Sequence, residues 1–282
     1  TAAFAAGMAA GVLAASTLAM TRGPAGAVLG YAAGLWFADA LLVILGIASY
    51  PPRKPRSSIG EVFAFARTHA ALGASGFLFY LGQWIDAFIF WGVRGEPVAG
   101  LGLRLYADYD GYVFMAGLSI IPGLVYFVVA AETRVYTYLR RFLRSLDARS
   151  LSRIRESRAS LAGCVREELR RLGGFQAVFS LAAGAILVGL RPEALGSAVP
   201  WLALGAAYFL CLLLSLLVFL YYLELYREAL VSALALCVLN GLGALVPYWC
   251  GAYPPAGLGR LAAAILACGL ADALLHKSLD GL

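Results

Sequence analysis

The sequence predicts an all-α polytopic membrane protein with about eight transmembrane helices, and three observations carry that prediction. First, 62% of the 282 residues are hydrophobic and only 13% are charged, about half the charged share of a soluble domain. Second, the charges are absent in blocks: none occurs over 1–21, 111–131, 172–190, 194–223 or 229–259. Runs of about 18 or more apolar residues are long enough to cross a ~30 Å hydrocarbon layer as helix. Third, no segment alternates apolar and polar residues as a barrel strand must.

The predicted spans follow in order. The first, 3–20, contains Gly7-x-x-x-Gly11, and the second, 25–49, contains Gly30-x-x-x-Gly34; such pairs let helices approach closely. The third covers 71–93. The fourth, 111–131, carries Pro122-Gly123 at its middle; proline removes a helical hydrogen bond there, so a kink is expected. Spans at 173–190, 198–222, 227–247 and 256–276 complete the set. The five cysteines, Cys164, Cys211, Cys237, Cys250 and Cys268, show no paired spacing and read as small packing residues, not a disulfide or metal framework. The chain starts at Thr1 inside an apolar run, without an initiator Met, a basic leader or a cleavage site. It is therefore expected to be the later part of a longer chain.

Orientation follows from the basic residues. Assigned to alternate sides of eight spans, the 22 Lys and Arg divide seventeen to five. The richer side is expected to be cytoplasmic, with both ends of the chain on it. The net charge of +6 thus belongs to membrane loops, and no nucleic-acid partner is expected. Two cytoplasmic segments stand out. Residues 51–58 are basic and proline-rich, a stiff linker, and Ser58-x-x-Glu61 fits a capping box opening a short helix. This divides the chain into 1–50, a linker with amphipathic helix over 51–70, and a lobe over 71–282. The second segment, 133–171, has apolar residues at helical spacing between eleven arginines across 132–171, with a break at Asp147–Ser150. Two readings stay open: an amphipathic segment lying on the bilayer, or a docking surface for a cytoplasmic partner or anionic headgroups.

Ionisable groups at membrane depth cost about 2.5–3.5 kcal/mol on insertion scales, so each needs a physical reason. Asp39 lies near the middle of the second span and Asp86 in the outer half of the third, beside Gln83 and Trp84. Neither has a basic residue within one turn, so each must face a wet cavity, find a partner on another helix, or be protonated. Asp39, Asp86, Gln83, Trp84 and Asn240 are candidate substrate-pathway or coupling residues; for Asp39 and Asn240 structural hydrogen bonding is the alternative. Glu132, Arg134 and Tyr136 close the fourth span as either an inner gate or an interfacial charge cluster. With only His69 and His276 and no nucleophile, metal or phosphate-binding motif, no enzymatic activity, catalytic residue, metal or cofactor is expected.

The run Tyr80-x-Gly82-x-Trp84-Ile85-Asp86-x-x-Ile89-Phe90-Trp91 resembles the Pel exopolysaccharide exporter family. So do Tyr109-Asp110, Leu118–Gly123 and Glu132-Thr133-x-x-Tyr136, with looser likeness around Phe219–Arg227 and at Asn240. That family is similar to the multidrug/oligosaccharidyl-lipid/polysaccharide flippases. The resemblance implies a twelve-helix, two-lobe fold with alternating access, of which this chain supplies helices five to twelve. It implies a polysaccharide or precursor as cargo, the bacterial inner membrane as location, and a cytoplasmic glycosyltransferase and further membrane subunits as partners, with 133–171 as the candidate contact. A basic residue is common after the Trp-x-Asp motif, whereas this chain has Ala87, so the resemblance favours a substrate- or proton-coupled role for Asp86 over a fixed ion pair. Two other function classes fit the same features: a non-transporting scaffold for a synthase complex, and a cation-coupled small-molecule antiporter.

Overall fold

The computed structural model describes residues 2–49, 59–98, 104–146, 150–252 and 254–281. The predicted linker 51–58, including Ser58 of the capping box, lies outside them. The chain divides into two compact units, Thr1–Phe65 and Ala66–Leu282, and each is taken by itself. Among the described residues seven helices are long and apolar enough to span a membrane, six of them in the second unit. The chain is a multi-pass, all-α membrane protein.

In the first unit, α1 (Ala2–Ser49) is interrupted at Gly23, where φ is 61°, a backbone state that glycine adopts at little cost. The chain reverses there. The limb 2–22, which holds the first predicted span, packs antiparallel against Gly26–Ser49. The two glycine pairs form the seam: Gly11 faces Gly34, Gly7 faces Ala38, and Gly30 abuts Ala14. A methyl group on Gly34 would collide with the backbone of Gly11. A short helix, α2 (Ile59–Thr68), follows, with Glu61 in its first turn.

The second unit starts with α3 (Ala70–Val93). A two-residue antiparallel ladder, Glu96–Pro97 with Arg104–Leu105, then clasps the connection to α4 (Ala107–Leu118). The predicted kink lies at Ser119, between α4 and α5 (Ile120–Tyr126). Its cause is one turn further on: the Pro122 ring crowds the carbonyl of Leu118, four residues earlier. The displaced backbone is recaptured from outside, because Gln176 Nε2 donates to Ser119 O at 2.9 Å. A π-helical turn, Phe127–Glu132, leads into α6 (Thr133–Leu146).

The break between α6 and α7 (Leu151–Leu190) comes where the sequence placed it, and α7 then runs for 40 residues. A 3-10 turn at Pro192–Gly196 joins it to α8 (Val199–Tyr222), followed by α9 (Tyr226–Trp249) and α10 (Leu258–Gly281). α3 packs on α9, α9 on α10, α10 on α8, and α8 on α4 and α7. The core is centred on α8, where Leu213, Leu217 and Leu220 are inaccessible to solvent.

Within 133–171 the two helices pack on one another. Val135, Leu139 and Phe142 of α6 are buried in one cluster with Leu161 and Val165 of α7. These apolar stripes face each other in a helical hairpin.

Candidate functional site

Polar side chains that reach membrane depth collect at two places in the second unit. The first is at the end of the bundle where α3 finishes and α10 begins. Asp86 is 1% exposed, and its position within α3 turns it inward with Phe79, Gly82 and Phe90. Arg260, in the first turn of α10, reaches it, with Nη1 3.3 Å from Oδ1. The Tyr109 hydroxyl, from the first turn of α4, donates to Oδ2, and Tyr109 is itself enclosed by Phe90 and Tyr106. Three helices thus meet on one carboxylate. A buried carboxylate needs both a countercharge and hydrogen bonds to persist, and here it has both.

This corrects the expectation that Asp86 lacks a fixed ion pair. The residue after the motif is Ala87, but the cation comes from another helix. Asn240 of α9 is fully buried, and its Nδ2 donates to Gly82 O at 2.8 Å, tying α9 to α3. Its Oδ1 has no hydrogen-bond partner among the described residues, and the side chain borders a cavity of about 20 Å³ shared with Asp86 and Arg260.

Arg260 also borders a much larger opening. Between α3 and α4 lies a cleft of about 370 Å³ with Trp84, Trp91 and Phe114 on its walls and Gln83, Asp110 and Arg260 as its polar groups. α3 and α4 diverge here, because α3 packs on α9 while α4 packs on α8. Asp110 accepts from Trp91 Nε1 at 2.8 Å and from the Tyr106 amide at 3.1 Å, which fixes the Trp91 ring. Trp84 is 52% exposed and stacks on Phe88. A cleft of this size with apolar walls and few polar groups has the make-up of a ligand site.

The second polar cluster lies where α6 and α7 leave the apolar zone. Glu168 of α7, 3% exposed, is paired to Arg134 Nη1 at 2.9 Å and to Arg171 Nη1 at 3.2 Å. The Tyr126 hydroxyl donates to its other oxygen at 3.3 Å. Of the three residues read as an inner gate, Arg134 alone is placed in this cluster. Tyr136 is 52% exposed, and the Glu132 side chain lies outside the described residues. Glu168→Ala is expected to lower stability by about 1.5–3 kcal/mol, the range for hydrogen bonds to a charged group, read as a lower melting midpoint of the purified chain. The loss is less than for Asp86, because Arg134 and Arg171 are half exposed and water can take over.

Asp39 belongs to the first unit, where it is exposed on the α1 hairpin beside the buried Ala38. The structure therefore brings Gln83, Trp84, Asp86 and Asn240 to one end of the second unit. It adds Arg260, Tyr109 and Glu168, which sequence reasoning missed. Glu168 had a readable signal, since it interrupts the apolar series Leu161, Val165, Leu172 on a single helix face. Among the described residues no group of three or more His, Cys, Asp or Glu is placed to hold a metal ion.

No curated protein and no solved structure matches the chain. A family match covers all of it, residues 1–282. The family is one of exopolysaccharide exporters, and the multi-pass helical architecture agrees with it. The chain belongs to the PelG exopolysaccharide exporter family.

Proposed function

We propose that the chain carries an exopolysaccharide, or a precursor of one, across the bacterial inner membrane by alternating access between two helical lobes. The observation that carries this reading is the α3–α4 cleft. Aromatic rings offer apolar faces to the C–H surfaces of sugars, and Gln83, Asp110 and the Arg260 edge supply hydrogen bonds at one end. At about 370 Å³ it takes a short stretch of a sugar chain, not a folded polymer. The seventeen-to-five division of basic residues supports an orientation with the α6–α7 hairpin in the cytoplasm. On this reading Asp86 holds Arg260 at the edge of the cleft, Asn240 ties α9 to α3 behind it, Arg134 and its partners close the opposite end, and Asp39 is a pathway residue of the first unit.

The test uses the full-length protein in cells that secrete the polymer. Trp84→Ala is expected to cut secretion at least fivefold at unchanged membrane levels, because the side chain is half exposed and contributes little to folding. Trp84→Phe should retain most activity. Normal secretion by the alanine variant would remove the cleft from the transport path.

A further inference from the structure

The α6–α7 hairpin has two features that its own packing does not require. One is length. α7 and α8 are joined by a short turn at Pro192–Gly196 and are level at that end, yet α7 has 40 residues and α8 has 24. The sixteen surplus residues, all at the start of α7, carry it roughly 24 Å past the α8–α9 turn at about 1.5 Å per residue. The other feature is surface chemistry. The overhang bears Arg153, Arg155 and Arg158, and α6 bears Arg140, Arg141 and Arg144. Glu156 is the one acid among the described residues 133–166 whose side chain is described. None of these six arginines forms an ion pair among the described residues. Between them, Leu143, Leu146 and Leu151 are 51%, 51% and 71% exposed.

A bilayer does not account for this surface. The apolar stripes of both helices are buried against each other, so the hairpin has no broad apolar face left to lay on lipid. The three α7 arginines lie about 13–21 Å beyond the α8–α9 turn by helix rise. The field of an anionic leaflet fades within a Debye length of about 8–10 Å. Apolar residues rimmed by a single sign of charge mark a protein contact.

We propose that the tip of the α6–α7 hairpin docks a second protein through an acidic surface that also offers an apolar recess for Leu143, Leu146 and Leu151. The inference concerns a surface remote from the cleft and does not depend on what is transported. The test places a photo-crosslinking residue at Leu146 or Leu151 of the full-length protein in its own cells. The expected result is a crosslink to a protein at an acidic segment. Arg140→Glu, Arg141→Glu and Arg144→Glu together should lower its yield at least tenfold. Replacing acids of the crosslinked segment by lysine should restore at least half, and the same three positions as lysine should keep it. If the triple variant does not reach the membrane, Arg153→Glu with Arg155→Glu decides the matter on the other helix. Crosslinks only to lipid, only to a second copy of this chain, or unchanged by charge reversal would overturn the proposal.

Discussion

Arg260→Ala is expected to lower the stability of the purified full-length protein by about 3–5 kcal/mol, the cost of leaving one member of a buried ion pair alone. Asp86, 1% exposed in the parent, would lose its countercharge and keep the Tyr109 hydroxyl as its one side-chain hydrogen bond. The decisive comparison is the double variant. Asp86→Asn with Arg260→Ala removes the stranded charge, so it should be more stable than Arg260→Ala alone, against the ordinary trend that losses add. Arg260→Lys should recover only part, because an ammonium lacks the planar fork of donors and is more strongly hydrated. Melting midpoints of the four proteins in one detergent give the answer. An alanine variant as stable as the parent would mean that the pair does not hold the α3–α4–α10 junction together.

Gly259→Val should be comparably damaging through a different force. α9 and α10 cross at Gly243 and Gly259, and a Cβ on Gly259 would lie 2.7 Å from the Gly243 backbone. No side-chain rotation relieves a clash with backbone, so the helices must separate. Overpacking usually costs about 1–3 kcal/mol, and a backbone-to-backbone collision belongs at or above the top of that range. The shift also moves the next residue, Arg260, so secretion should fall along with folded yield. Gly269→Ala in the same helix is the control, since nothing lies within 4 Å of its Cβ position; it should be neutral or slightly stabilising. Equal behaviour of the two variants would show that the crossing tolerates separation.

How far the sequence foretold this arrangement depended on whether the information was local. Seven of the eight predicted spans, the kink from Pro122, the glycine seam of α1 and the break before Leu151 all arise from residues near one another in the chain. Sequence also pointed to Asp86 as needing a reason, and to a partner on another helix as one option. It did not reveal which partner. Arg260 lies 174 positions away, near the edge of the predicted span 256–276, and a lone arginine at a span's edge has the same local pattern whether it faces water or a buried carboxylate. The absence of a basic residue at Ala87 pointed the wrong way for the same reason. Depth offered the missing hint: Asp86 falls in the last two turns of α3 and Arg260 in the first of α10, which puts both at one end of the bundle. Sequence left the hairpin with two readings, because two apolar stripes, each suited to lipid, are equally suited to one another.

The unbroken course of α7 has a mechanical meaning. It is one helix from Leu151 to Leu190, about 60 Å long, holding Glu168 and Gln176 partway along. Nothing within it is a joint, so it acts as a lever: pivoted at its far end, a tilt of about 5° sweeps the tip through roughly 5 Å. A load on the tip is therefore felt in reduced amplitude at Gln176, which props the broken turn of α4 and α5 at Ser119. A 40-residue rod thus bears directly on a broken turn.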